Sequence, residues 1–454
     1  MPRTTRRNFL QSTAALGVGF WVAGGVSPRP SRAASEKINF ACVGVGGKGD
    51  SDARDASRNG NIVAICDADG DTLDRAALRY RDAKKFTDYR KMLDEVGKSI
   101  DAVTVSTPDH NHAPAAIRAM KLGKHCFVQK PLTHTIHEAR RMGEVAREMK
   151  VATEMGNQGT ANADLRHSAA FVQAGGLGTV KEVHVWTNRP IWPQGLDRPT
   201  DTPPVPEKLD WEAWIGPAKM RPYHNAYHPF KWRGWWDFGT GALGDMACHT
   251  LNMCFAALSL RDPISVQAIS SGHNKETYPS WSIITFEYAA TDKRGKVTLK
   301  WYDGGKLPPM EIVAGTKHKF KKRGTDDETP LSDSGGVMIG SKGTIYAPGD
   351  YADRAELIGT GKLPDCEFER SPGHFDEWIR AIEGGKPAMS NFPDYAGPLA
   401  ETILLGNLAV WAAPEKDQMG KKIAWDAKKL VATNAPEVMH IVKKEYRKGW
   451  ELEG

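Results

Sequence analysis

Lys37–Asp69, KINFACVGVGGKGDSDARDASRNGNIVAICDAD, decides the fold of this chain. Ile38, Phe40, Cys42 and Val43 form a short apolar run that ends in Gly44-Val45-Gly46-Gly47-Lys48-Gly49, a match to GxGxxG. A helical stretch follows, and a second apolar run, Ile62 to Cys66, ends in Asp67. Strand, glycine turn, helix, strand and acid in that order make a dinucleotide-binding fingerprint. The glycines let backbone N–H groups approach a pyrophosphate at a helix N-terminus, and the acid accepts from a ribose hydroxyl. Gly44, Gly46, Gly47, Gly49 and Asp67 are therefore expected cofactor contacts. Asp67 and Asp69 together would repel a 2′-phosphate, which favours NAD over NADP.

The same alternation continues downstream. A polar helix is expected from Thr72 to about Ala83, and another through Tyr89 to Leu93. Ala102–Val105 reads as a buried strand ending in Ser106-Thr107-Pro108-Asp109-His110-Asn111-His112, with a helix beginning near Pro114. Loops at the carboxyl ends of parallel strands are where open α/β sheets bind ligand, so Thr107, Pro108 and His112 are placed at the cofactor. His110 reads as a surface loop residue. The strand His125–Val128 runs into Gln129-Lys130-Pro131-Leu132, the helix Ile136–Met149 follows, and a strand over 151–155 closes at Gly156-Asn157-Gln158. Gln129, Lys130 and Asn157 thus join the same edge. Residues 34–157 read as a doubly wound, mostly parallel sheet, a Rossmann domain.

From residue 158 the texture changes to a second α/β domain that runs to residue 454. A helix is expected from about Ala163 to Gln173 and a half-buried strand over Val180–Trp186. Residues 190–236 are rich in Pro and Trp, with Trp192, Trp211, Trp214, Trp232, Trp235 and Trp236 crowded together. Indole faces can seat the C–H faces of sugars or pack irregular loops, and both readings stay open here. The run Phe238 to His249 leads into one helix through about Leu258, on which Asp245 and His249, four apart, share a face. Stretches over 264–270, 282–288 and 296–302 alternate as antiparallel strands, and helices return over 374–383 and 399–412. The tail is charged and helical in places.

The chain has 454 residues, enough for two or three domains. Its formal charge of +6 is misleading, because Arg3, Arg6, Arg7, Arg29 and Arg32 all precede the first acid, Glu36. Setting those five aside leaves 56 Lys+Arg against 55 Asp+Glu, which gives no case for nucleic acid or an anionic membrane. The first 33 residues read as a cleavable twin-arginine signal: Thr5-Arg6-Arg7-Asn8-Phe9-Leu10, an apolar stretch from about Ala14 to Val26, and a small-residue site at Ser31-Arg32-Ala33. That stretch is too short and glycine-rich to span a bilayer, and no cysteine offers a lipid anchor there. The expected location is the periplasm or beyond, with the twin-arginine machinery as a partner. The six cysteines lie mostly in apolar runs and read as core residues rather than disulfides.

The glycine fingerprint, the strand ending at Lys130-Pro131 and the Gly241/Asp245/His249 spacing together resemble the glucose-fructose oxidoreductase, inositol dehydrogenase and MocA family. The resemblance implies a Rossmann domain followed by an α/β domain with a large, mainly antiparallel open sheet whose face covers the nicotinamide. It implies that Lys130 matches the lysine of the family's Glu-Lys-Pro motif and that Asp245 and His249 match its catalytic pair. Gln129 departs from the pattern, standing where the family usually has Glu, so Lys130 is expected to hold its proton less tightly than in relatives.

The chemistry agrees with these assignments. Moving hydride between a carbinol and a nicotinamide also moves the hydroxyl proton, so a base and a cation should flank that oxygen. His249 fits the base, Lys130 the cation and Asp245 the group that orients them. A helix pair satisfying each other is the bland alternative for Asp245 and His249. A metal site with His224 and His228 is disfavoured because Pro222 and Pro229 deny those histidines a helical spacing, and no metal is expected. The expectation is an exported, homo-oligomeric oxidoreductase acting on a sugar, sugar derivative or polyol with tightly bound NAD. An NAD-dependent glycosidase working by transient oxidation, elimination and re-reduction is the alternative, and a non-catalytic sugar-binding protein is a third.

Overall fold

The computed structural model describes residues 37–321 and 324–453. The twin-arginine segment, with Arg6 and Arg7, lies outside the described residues.

Six short strands, β1 (Ile38–Val43), β2 (Gly60–Cys66), β3 (Lys84–Phe86), β4 (Ala102–Val105), β5 (His125–Val128) and β6 (Thr153–Met155), form one sheet in the order β3-β2-β1-β4-β5-β6. Every pairing is parallel. The central strands are apolar on both faces because helices cover both, as β1 shows with only Asn39 partly exposed. The order reverses between β1 and β4, which opens a crevice at their carboxyl ends. Local sequence sets the helices. Ile136–Met149 starts on a capping box in which Thr135 accepts from the Glu138 N–H and the Glu138 carboxylate accepts from the Thr135 N–H.

The second sheet has nine strands. β7 (Val180–Trp186) lies parallel to β10 (Val297–Tyr302), and the other pairings are antiparallel: β10 with β9 (Ser282–Tyr288), β9 with β8 (Ser265–Ser270), and β7 with β13 (Gly335–Gly340), which turns back into β14 (Gly343–Pro348). Two-residue pieces, Phe320–Lys321 and Glu328–Thr329 (β11 and β12), form a separate ribbon, and β15 (Glu356–Leu357), β16 (Ile423–Asp426) and β17 (Val431–Ala432) finish the edges. β9 shows why the sheet has an inner face: Ser282, Ile284, Phe286 and Tyr288 are buried while the residues between them are partly exposed. The apolar helix Gly397–Trp411 lies on that inner face and reaches back to the helix Ile136–Met149 through an Arg140–Glu401 ion pair at 2.7 Å. Gly406 permits the contact, since a Cβ there would come within 2.5 Å of the Leu243 side chain and 2.8 Å of Phe286.

Three expectations need correction. The helix expected to reach Ala83 ends at Ala77, and the chain then turns at Tyr80–Ala83 to make β3. The helix expected to carry Asp245 and His249 and to run on to about Leu258 is two, Gly241–Thr250 and Asn252–Leu258, interrupted at Leu251. The helix His374–Ile382, placed by sequence in the second domain, packs on the first sheet: Trp378 sits 5.9 Å from Phe40 and 5.7 Å from Phe127, and its indole N–H donates to the Ala152 carbonyl. The tail is helical in places, as expected, at the 3-10 turn Pro436–Val438 and the α-helical turn Met439–Val442. The cysteines are unpaired, and all but Cys366 are buried. Among the described residues no helix is long and apolar enough to cross a membrane.

Candidate active site

A cavity of about 780 Å³ opens at the carboxyl edge of β1, β2 and β4, between the glycine turn and residues of the Trp-rich segment. Gly44 has φ 78°, and a Cβ there would fall 2.5 Å from the Ser106 carbonyl oxygen. At Gly49 it would fall 2.1 Å from the Gly44 oxygen. Those two glycines let turn, helix and β4 close on one another. Gly47, with φ 52°, faces space empty to 4 Å at the start of the helix Lys48–Asn59. A phosphate-sized group fits there against the free N–H groups of the helix start.

Asp67 ends β2 with one carboxylate oxygen accepting from the Val45 N–H and the other from the Asp69 N–H, both at 3.0 Å. A carboxylate has lone pairs to spare for ribose hydroxyls on the cavity side. Burial pushes its pKa up to about 6. Asp69 instead caps the helix Gly70–Ala77, accepting from the Asp71 and Thr72 N–H groups. Arg75 and Arg79 line the same end, Arg79 paired with Asp50 and Arg75 donating to the Thr72 hydroxyl.

The opposite end of the cavity holds a charged cluster. Lys130 Nζ donates to the Asp245 carboxylate at 2.9 Å and to the Asp245 carbonyl at 3.0 Å, joining the loop after β5 to the helix Gly241–Thr250. Arg233 stands 3.5 Å from the same carboxylate. Burial opposes charge on Lys130, but the Asp245 carboxylate outweighs it and holds the ammonium above the ordinary lysine range. Burial likewise opposes charge on Asp245, and Lys130 with Arg233 keeps it below the ordinary carboxylate range. The proton of Lys130 is therefore held more tightly than in a free lysine. Asp109 completes the cluster, its carboxylate accepting from the Thr240 hydroxyl at 2.6 Å, and burial lifts its pKa to about 7. His249 lies one turn beyond Asp245, 3 % exposed, with Nδ1 lacking any partner and its ring edge-on to Tyr351 at 5.0 Å. Burial first, and then the Lys130 charge, push its pKa down to about 3.

Gln129 has a structural reason to differ from glutamate. Its amide Nε2 donates to Asp52 Oδ2 at 2.9 Å, and Asp52, 1 % exposed, also accepts from Lys48 Nζ at 2.6 Å and Ser106 Oγ at 2.7 Å. The carboxylate missing from position 129 is present on the neighbouring helix. A Gln129→Glu variant would set two acids within hydrogen-bond distance, and they would have to share a proton. Such a raised folded-state pKa costs stability as pH rises above the unfolded value. The variant is expected to melt near the parent at acid pH and to lose about 1–3 kcal/mol by neutral pH, with Asp52→Asn restoring it. Paired melting curves across pH check this, and a pH-independent difference would refute it.

The expected contacts sort into two groups. Gly44, Gly46, Gly47, Asp67, Thr107, Pro108, Gln129, Lys130 and Asp245 line the cavity, whereas Gly49, His112, Asn157 and His249 do not. His112 is buried with its ring nitrogens at the Pro131 and Thr107 carbonyls, 2.8 and 2.7 Å away, so it ties the Lys130 loop to the β4 loop. Asn157 accepts from Ser390 Oγ and leaves Nδ2 without a partner. His110 is not a surface residue: it is fully buried, its ring between the Phe238 and Trp214 carbonyls at 3.1 and 3.0 Å. The six Trp of the 190–236 segment are all buried, and Trp214 and Trp232 are the ones that also face the cavity. His224 faces Asp201 and His228 faces Asp69, and among the described residues no three His, Cys, Asp or Glu are gathered as a metal would need. Arg233 and Asp109 were not anticipated. Asp109 sits on a loop already placed at the site, while nothing about Arg233 sets it apart from other arginines in the sequence.

A glycine-turn cleft with a ribose-accepting acid at one end and a lysine–aspartate pair at the other defines a nicotinamide-dependent oxidoreductase. Residues 38–157 match the oxidoreductase family with an NAD-binding Rossmann fold, and residues 179–303 match that family's C-terminal alpha/beta domain. The chain belongs to the Gfo/Idh/MocA family of oxidoreductases, with NAD as its cofactor. It is 31% identical over 169 residues to an alpha-N-acetylgalactosaminidase of Shewanella oneidensis, covering 31% of this chain and 36% of that protein. It is 24% identical over 190 residues to a levoglucosan dehydrogenase of Pseudarthrobacter phenanthrenivorans, covering 42% of this chain and 40% of that one. The chain thus spans about two fifths or less of these curated relatives. Among solved structures it is similar in fold to the WlbA dehydrogenase of Bordetella pertussis in complex with NADH and UDP-GlcNAcA, with a TM-score of 0.57 at 17% identity over 85% of this chain and 98% of that one. A levoglucosan dehydrogenase with NADH and levoglucosan gives 0.54 at 16% over 85% and 99%.

Proposed function

We propose that the protein is an exported oxidoreductase that acts on a CH–OH group of a sugar, sugar derivative or polyol and keeps its NAD bound through the cycle. The observation that carries the reading is the Lys130–Asp245 pair at the far end of a cavity whose near end is the glycine turn and Asp67. NAD, when bound, would supply the acceptor for the carbinol hydrogen and its electron pair. The chain does the rest. Gly44 to Gly49 and Asp67 seat the nucleotide. Lys130, oriented by Asp245, holds a hydroxyl oxygen and stabilises the negative charge that grows there. His249, with Nδ1 free, accepts the hydroxyl proton.

Outside the cytoplasm no pool of free NAD replaces what is lost, so the reduced cofactor must be restored in place, by a second substrate or by the product itself. The second course would make this a glycosidase that oxidises, eliminates and re-reduces, a reading favoured by the similarity to an alpha-N-acetylgalactosaminidase. Native mass spectrometry of protein recovered from the exported fraction tests the proposal. A mature chain starting near residue 34, about one NAD per chain and a homo-oligomeric mass are expected, and full-length protein retained in the cytoplasm would refute export. A panel of polyols and glycosides then separates the chemistries: bound nicotinamide absorbance rises with the first, and an aglycone leaves without net NADH with the second. Silence toward both after nucleotide loading would return the protein to sugar binding alone.

A further inference from the structure

Residues 206–233 leave the second domain and cross to the nucleotide cleft. At the end of β2 they are stitched to the first domain by backbone: Gly70 N–H donates to the Lys208 carbonyl and Asp210 N–H to the Ala68 carbonyl, both at 2.9 Å, with Leu209 bridging Asp69. Side chains reinforce the seam. Lys208 Nζ lies 3.0 Å from Asp71 and 3.2 Å from Asp74, and the Thr87 hydroxyl donates to Asp210 at 3.2 Å. Beyond the seam, Trp214, His228, Phe230, Trp232 and Arg233 form the wall of the cavity that faces the glycine turn. The wall is stiff because its underside is a core of its own, in which Trp211 stacks on Trp214 at 4.7 Å and Tyr227 meets Trp235 at 4.7 Å.

A third fastening comes from the tail. Arg447 donates through Nε to the Gly216 carbonyl and through Nη2 to the Glu212 carbonyl, both at 2.9 Å. The tail itself is anchored on the first domain, where Trp450 packs on Tyr89 at 5.6 Å and Arg90 lies over its ring at 3.6 Å.

We infer that residues 206–233 are a strap that encloses the nucleotide, making it a resident group of the protein rather than an exchanging substrate. The inference rests on the cofactor assignment but not on the sugar chemistry. A nucleotide leaving the cleft between strap and glycine turn has to wait for a local opening that breaks the β2 seam or the Arg447 buckle, and the rate of such openings follows their cost. Retention is therefore a property of contacts remote from the nucleotide.

Exchange of bound NAD against isotopically labelled NAD, followed by mass spectrometry, reads that rate. The parent is expected to exchange slowly. Arg447→Ala, which removes charged donors from two strap carbonyls, is expected to exchange roughly 10- to 100-fold faster, as loss of a charge-assisted hydrogen bond implies. Lys208→Ala, an exposed change that cannot unfold the core, should accelerate exchange in the same direction by less, and it decides the matter if Arg447→Ala does not fold. Fast exchange in the parent, or slow exchange that neither variant quickens, would overturn the strap. Protein that takes up no nucleotide at all would overturn the cofactor assignment with it, whereas slow exchange quickened by the variants, in a protein inert toward sugars, would leave the strap standing and sink the substrate reading.

Discussion

A His249→Asn variant is expected to melt close to the parent and yet to reduce its bound nucleotide roughly 100- to 10,000-fold more slowly, the usual worth of a positioned acid–base group. The structural case is the orphaned Nδ1 of a side chain that is 3 % exposed. A buried polar atom without a partner costs about 1–3 kcal/mol, so this imidazole is held in place at the expense of stability. His249→Phe, apolar and of similar shape, is accordingly expected to melt at least as high as the parent while losing the reaction. The folded-state pKa of about 3 makes the ring neutral and free to accept, though weak as a base. Part of that weakness comes from the Lys130 charge. Single-turnover absorbance of the bound nicotinamide, measured beside a melting curve, is the check. A variant that melts early but reacts at the parental rate while folded would end the catalytic assignment.

The Asp67→Ala change should weaken NAD binding by roughly 10- to 100-fold, since it removes the charged acceptor for the ribose hydroxyls. It should also admit NADP. Arg75, at the same end of the cavity and donating to the Thr72 hydroxyl, would be left to meet a 2′-phosphate. The sign of the pH effect follows from burial, which raises the Asp67 pKa to about 6. Only the ionised acid accepts from both hydroxyls, so parental affinity for NAD is expected to be full above that value and to fall as pH drops through it, while Asp67→Asn should be flat in the same window. Titration of nucleotide-free protein on either side of about pH 6 measures both claims, and unchanged NAD affinity in Asp67→Ala would dismiss the assignment.

The first sheet was legible because its evidence is local: β1, β4 and β5 are continuous apolar runs, and the helices Ile136–Met149 and Ala163–Gln173 carry both periodicity and caps. The hairpin of β13 and β14 was not, since Gly335, Gly336, Gly340 and Gly343 dilute the alternation and the strands are specified by pairing with β7. β3 is three residues, two of them exposed, and exists because β2 offers it an edge. Lys130, Asp245 and Asp67 could be placed from motif and spacing. Arg233 could not, because only the way the irregular 190–236 segment folds turns its guanidinium toward the Asp245 carboxylate. His110 and His112 look alike in sequence to loop residues, and only the carbonyls that close on their rings show them to be joints between loops.

Arg447 and Trp450 give the molecule an order of events as well as a shape. The six strands of the amino-terminal sheet are complete by Met155, whereas Arg447 and Trp450, which hold the strap and its tail in place, come much later in the sequence. A chain that has not yet reached Arg447 lacks the tail's hold on the strap, which is then fastened by the β2 seam alone. If the strap holds the nucleotide, entry is expected to be easier before that hold forms than after, so the cofactor content of a preparation should depend on when nucleotide was supplied.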